Sequence, residues 1–178
     1  MKNVVILSTS LRRNSNSHAL ALSFAAGAEN AGNQVEIISL IGKKIAYCQG
    51  CFACQKTGHC VIKDDAVEIE EKVEKADVVV WASPIYYYEM SGQMKVLIDR
   101  LNPLFPKDYR FRDVYFLASA AEDEPDVPAR AIEGTKGWVD CFEKATFRGA
   151  VFCGGVNNAG EIQGNEKLKE AYEMGRKV

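Results

Sequence analysis

The interiors of Asn3–Ser8 (Val4, Val5, Ile6, Leu7) and of Asp77–Ala82 (Val78, Val79, Val80, Trp81) hold no polar residue. A strand with one wet face alternates apolar and polar side chains, so uninterrupted apolar runs belong to strands covered on both faces. Asp113–Ser119 and Arg148–Gly154 are further apolar runs, and Gln34–Leu40 brings the strands to five. Strands of this kind imply a parallel sheet with helices packed on both sides, joined by right-handed crossovers.

Helical segments fall between these runs. Ala19–Ala31 is Ala-rich and ends at Gly32, and Asp65, with Glu68 three residues on, reads as the cap of a helix over Ala66–Lys75 whose Glu71 and Lys75 face solvent. Further helices are expected over Ser91–Leu104, Ala129–Lys144 and Glu166–Arg176. The alternation predicts an α/β fold, a doubly wound five-stranded parallel sheet of flavodoxin-like order 2-1-3-4-5, in a single domain over residues 1–178. No linker, internal repeat or low-complexity segment interrupts it.

A chain of 178 residues that is 47% hydrophobic can bury one substantial core. Its net charge of −2 supplies no basic field for phosphate-backbone binding, so nucleic acid is not an expected partner. The first residues read as a strand rather than a signal peptide, and no apolar stretch reaches the roughly 18 residues a membrane span needs. A cytoplasmic protein away from membranes is expected, and in that setting six cysteines suit metal, cluster or redox roles better than a disulfide framework.

Three loops follow carboxyl ends of strands and carry the chemistry. Between the first strand and helix, Ser10, Leu11, Arg12, Arg13, Asn14, Ser15, Asn16 and Ser17 gather hydroxyls, amides and two guanidinium groups where free backbone N–H groups favour an anion. The same residues could simply cap the helix. The loop lacks the Gly-Lys-Ser/Thr ending of a P-loop and the G-x-G-x-x-G of a dinucleotide turn. After the third strand, Ser83, Pro84, Ile85, Tyr86, Tyr87 and Tyr88 turn the chain outward behind a rigid X-Pro step and expose three aromatic rings. Such a rim suits a flat heteroaromatic ligand, or equally an interface. A third contact is expected at Ser119, Ala120 and Ala121, whose small side chains let a ligand approach the backbone.

The first loop matches the pattern S-x-R-x-x-x-N-S/T at Ser10, Arg12, Asn16 and Ser17, and Ser83 through Arg100 matches S-P-I-Y-x-x-x-x-S-x-x-M-K-x-x-I-D-R. On these residues the chain resembles the NADPH-dependent FMN reductase and flavodoxin-like NAD(P)H oxidoreductase family. The resemblance implies that Ser10, Arg12, Ser17 and Asn16, helped by Asn14 and Ser15, hold the FMN phosphate. It also implies that Pro84, Ile85, Tyr86, Tyr87, Tyr88, Ser119 and Ala120 flank the ring. NAD(P)H is then the donor, a small-molecule electron acceptor alternates with it in a ping-pong cycle, and the protein is a homodimer. The flavin does the chemistry, so no catalytic side chain is required. Lys95, Asp99 and Arg100 read as a structural or dimer-forming helix face, and the acidic stretch Glu122–Arg130 as a place for acceptor specificity. A receiver-type signalling domain on the same fold would want an acidic phospho-acceptor where this chain has Ala82, Ser83 and Pro84.

Cys48, Cys51, Cys54 and Cys60 stand in one loop, with Gly50 and Gly58 to turn it. Four close thiolates suit a [4Fe–4S] cluster or a tetrahedral zinc site. The spacing resembles that of iron–sulfur flavoproteins, and equally the C-x-G-C-x-x-C-x-x-x-G-x-C-x-x-x-D-D loop that other relatives keep as plain thiols. Plain thiols are the expectation, and a cluster on these four residues is the alternative, in which the protein is an electron carrier. Cys141 and Cys153 read as core residues, His18 as part of the first helix start and His59 as a loop residue.

Overall fold

The computed structural model describes residues 1–178. Strands β1 (Asn3–Ser8), β2 (Gln34–Ser39), β3 (Val78–Tyr86), β5 (Asp113–Ser119) and β6 (Thr146–Cys153) form a parallel sheet in the order β2-β1-β3-β5-β6. A two-residue strand, β4 (Glu89–Met90), pairs antiparallel with the end of β3 and lies off this path. The five parallel strands thus stand in the expected order, and β4 is an addition that the sequence reading did not contain.

Alternation within the apolar runs divides the core in two. Val4, Ile6, Val78, Val80 and Ala82 face a cluster with Leu20, Ala21 and Phe24 of α1 (Asn16–Asn30) and Ala171 of α6 (Glu166–Arg176). Val5, Leu7, Val79 and Trp81 face a larger cluster with Ile69 and Val73 of α3 (Asp65–Lys75), Met94 and Leu97 of α4 (Gly92–Arg100) and Trp138 of α5 (Ala129–Val139). Each side of the period-2 pattern therefore finds its own helix layer, which is the physical content of a doubly wound sheet. No helix is long and apolar enough to cross a membrane.

Several boundaries differ from the sequence reading. Helix α1 begins three residues early because Ser15, extended at φ −67° and ψ 148°, accepts a hydrogen bond from the His18 N–H. Asp64, not Asp65, caps α3 through Ala66, while Asp65 turns back to the Lys44 N–H. The α3 ion pair forms between Glu68 and Lys72. Helix α4 stops at Arg100, with Pro103 in the 3-10 turn beyond it. Helix α5 stops at Val139, which leaves Cys141 exposed rather than in the core, whereas Cys153 is buried as expected. A short helix, α2 (Ala53–Thr57), forms inside the cysteine loop.

Candidate functional site

The carboxyl ends of β1, β3, β5 and β6 open at one edge of the sheet. The first loop is tied down at its root: the Thr9 N–H and hydroxyl both donate to the Ala82 carbonyl, at 2.9 and 3.0 Å. Asn14 takes the left-handed conformation (φ 53°) that turns the chain into α1. Ser10 Oγ accepts from the Arg12 N–H at 3.3 Å. Asn16 Nδ2 donates to the Val156 and Asn158 carbonyls, and its Oδ1 accepts from the Ile162 N–H, so this side chain pins the loop that follows β6. Arg12 Nη1 adds a bond of 2.6 Å to the Asn157 carbonyl.

Ser17 differs from its neighbours. Its side chain is fully buried in the first turn of α1, and its hydroxyl has no partner in the protein. A buried unsatisfied hydroxyl costs on the order of 1–3 kcal/mol. Ser17 borders a cavity of about 160 Å³, together with Ser10, Arg12, Ser15, Asn16, Pro84, Ile85, Tyr86, Ser119, Ala120 and Ala121. An anion seated there would meet the free N–H groups and positive end of α1 and give Ser17 an acceptor.

The aromatic end is built by the β3–β4 hairpin. Tyr86 pairs with Glu89, and the two residues between them, Tyr87 and Tyr88, both have positive φ, 51° and 63°. Two-residue hairpin turns favour Asn-Gly or Gly-Gly, so a Tyr-Tyr turn carries strain of order 1–3 kcal/mol per residue. Ser83 holds its base by accepting from the Ser91 N–H at 3.0 Å. Tyr87 is 97% exposed. The nearby Glu122 carboxylate raises the Tyr88 pKa, and the Arg130 guanidinium lies 6.0 Å from the centre of its ring. Tyr87, Tyr88, Glu122 and Val127 line a second cavity of about 250 Å³. The two cavities share Ile85, Ala120 and Ala121, and together form one trough running from Ser17 to the hairpin.

The structure thus gathers at one edge every expected contact except Asn14, which shapes the turn without lining the trough. Val156 and Asn157 complete the wall, and the sequence reading missed them. The Gly-Gly pair that follows the last apolar strand, at the same sheet edge, was the signal available for them. A cavity of about 300 Å³ lies beyond Leu11, against Leu40 and Tyr47, but no orphaned polar side chain faces it. His18, held down in pKa by burial, lies 2.9 Å through Nδ1 from Ser8 Oγ.

The four clustered cysteines border a separate small recess with Phe52 and Arg100. Cys48 and Cys51 are exposed, Cys54 is buried and Cys60 is half-buried. Burial pushes the Cys54 thiol up, and its neighbours, led by Cys60, add to the effect. No three His, Cys, Asp or Glu side chains converge as a ligand set for a metal ion.

Comparison with known proteins agrees with this geometry. A stretch of 75 residues is 47% identical to an iron–sulfur flavoprotein of Archaeoglobus fulgidus, covering 42% of this chain and 34% of that protein. The chain therefore matches about a third of that relative's length. Over the whole chain the fold is similar to an azoreductase from Bacillus anthracis (TM-score 0.73, 16% identity, 100% of both chains). It is also similar to an NAD(P)H:quinone oxidoreductase from Methanothermobacter marburgensis (TM-score 0.68, 18% identity, 98% of both chains). The sequence profile of the NADPH-dependent FMN reductases matches residues 1–134, three quarters of the chain, and with the trough at the expected sheet edge this places the protein in the NADPH-dependent FMN reductase family.

Proposed function

We propose that the chain binds FMN along the trough and serves as an NAD(P)H-dependent oxidoreductase for a small acceptor such as a flavin or quinone. The observation that carries this reading is the buried, unpartnered Ser17 hydroxyl at the α1 N-terminus, in the cavity where the loops after β1, β3, β5 and β6 meet. Ser10, Arg12, Ser15 and Ser17 would hold the phosphate, with Asn14 and Asn16 shaping the loop around it. Pro84, Ile85, Tyr86, Tyr87, Tyr88, Ser119 and Ala120 would flank the ring. Bound FMN supplies the hydride acceptor and donor. The side chains orient it: small residues at Ser119 and Ala120 admit the ring edge, and the strained hairpin holds the tyrosine rims apart. We also propose a single domain over 1–178, which the length and the one sheet support, a cytoplasmic setting, and a homodimer, which rests on the family likeness.

Replacing Arg12 by Ala should weaken FMN by about 1.5–3 kcal/mol and riboflavin far less, because the phosphate is the only part of the ligand assigned to Arg12, and loss of its bond to the Asn157 carbonyl falls on both ligands alike. Fluorescence titration of the stripped protein with both ligands measures this, and equal losses would remove the loop from the phosphate site. Steady-state kinetics with NAD(P)H should yield parallel double-reciprocal lines, since donor and acceptor must take turns in one trough. Intersecting lines together with a measured ternary complex would oppose that sharing.

A second reading, an electron carrier with a cluster on Cys48, Cys51, Cys54 and Cys60, is supported by the shared recess and by the name of the Archaeoglobus fulgidus relative.

A further inference from the structure

The trough carries opposite charge at its two ends. Arg12 lines the phosphate end, with exposed Arg13 next to it in the chain. At the hairpin end Glu122 lines the cavity together with Tyr87 and Tyr88, and Asp123, Glu124 and Asp126 follow it closely. None of these four carboxylates forms an ion pair, and neither does Glu89 on the far side of the Tyr87–Tyr88 turn. Arg130, the single cation of residues 122–130, lies over the Tyr88 ring and does not line the cavity. The hairpin end therefore presents uncompensated negative charge.

Backbone packing fixes that charge in place. The Gly155 N–H donates to the Glu122 carbonyl at 3.3 Å, and the Val156 N–H donates to the Ala120 carbonyl at 2.9 Å. A Cβ at Gly154 would lie 2.5 Å from both Asp123 Cα and the Glu122 carbonyl oxygen, so the loops after β5 and β6 touch where a glycine admits them. Farther on, the Val127 N–H donates to the Glu124 carbonyl (3.1 Å) and the Ala129 N–H to the Asp126 carbonyl (3.0 Å), which turns the chain into α5. The ligand site is marked independently of these carboxylates, by the buried Ser17 hydroxyl in the cavity that shares Ile85, Ala120 and Ala121 with this one.

We propose that the hairpin end of the trough selects uncharged planar acceptors against anionic ones, with Glu122 as the residue that determines this specificity. The inference rests on the reading of the trough as an FMN site and names the class of acceptor for it. An acceptor must reach the flavin ring, whose flanks Tyr86, Tyr87 and Tyr88 belong to this end. A cavity of about 250 Å³ lined by Glu122 leaves an acceptor no position remote from that carboxylate. One like charge about 4 Å away weakens binding about fivefold even in water, and more where water is excluded. A quinone is thereby favoured over a phosphorylated flavin.

The test uses the full chain loaded with FMN, oxidised and without NAD(P)H, so that binding is read apart from turnover. The probes are naphthoquinone and its sulfonate, titrated against the absorbance of the bound flavin. The sulfonate should bind at least about tenfold more weakly, and Glu122→Gln should narrow that gap about fivefold. Glu122→Lys should close it. Raising the salt to about 1 M, where the screening length falls to about 3 Å, should narrow the wild-type gap as well, which exclusion of the sulfonate by size would not do. Turnover with NAD(P)H should rank the two quinones in the same order. Equal binding of the two probes, or a gap that neither Glu122→Gln nor salt changes, would overturn this inference while leaving the oxidoreductase reading intact. A chain that holds no FMN, or that reduces neither quinone, would overturn both.

Discussion

Asp64→Ala should destabilise the protein by about 3–5 kcal/mol, the cost of leaving a buried charge without its partner. Asp64 caps α3 through the Ala66 N–H, accepts from the Ala46 N–H at 2.8 Å, and takes two bonds from Arg100, whose side chain has no exposed surface. One carboxylate therefore joins the β2–α3 connection, the start of α3 and the end of α4. Urea unfolding measures the loss. The pH dependence has a definite sign. Burial alone would raise the Asp64 carboxyl, but Arg100 and the two backbone N–H groups outweigh it and hold it below the usual carboxylate range. Because the folded value lies below the unfolded one, near 3.9, the contribution is fully present above about pH 4 and is lost as pH falls through the folded value. Asp64→Asn should flatten that part of the acid limb. A variant that keeps the wild-type acid limb would show that the carboxylate is not its source.

Gly27→Ala should also be strongly destabilising, by about 1–3 kcal/mol or more, although Ala is the better helix former by about 1 kcal/mol. A Cβ at Gly27 would lie 2.0 Å from the Tyr172 carbonyl oxygen, and one at Gly175 would lie 2.1 Å from that of Phe24. The two helices, α1 and α6, thus touch backbone to backbone at reciprocal glycines, and a methyl group at either must push them apart. Gly137, on the exposed side of α5 with nothing near its missing Cβ, is the control. There, Ala should stabilise by about 0.5–1 kcal/mol. Thermal unfolding of the three proteins tests the pair of signs. Since α1 carries Ser17, Gly27→Ala should also release FMN more readily, and normal FMN retention at a lowered Tm would show that α1 keeps its place in the trough.

The five parallel strands were legible because a strand covered on both faces has no room for polar residues, and Val4–Leu7 and Val78–Trp81 state that locally. The order of strands came from the flavodoxin-like arrangement that five such strands suit, since alternation and crossover handedness leave several orders open. That the Ser10–Ser17 and Pro84–Tyr88 loops would meet at one sheet edge was legible, since both follow carboxyl ends of neighbouring parallel strands. What tertiary structure alone decided is every contact between residues distant in the chain. Arg100 read as a helix-face residue and is fully buried, because its partner Asp64 is 36 residues away. Cys141 read as core because it was expected inside the Ala129–Lys144 helix, yet α5 ends at Val139 and leaves it outside. Asn16 read as a phosphate ligand like its neighbours, but its amide is engaged by carbonyls more than 100 residues distant, while Ser17 beside it is left with no partner. Local pattern specifies which backbone a segment adopts and which face is apolar. Which polar atom is left over for a ligand depends on the hydrogen bonds the remainder of the fold has already made.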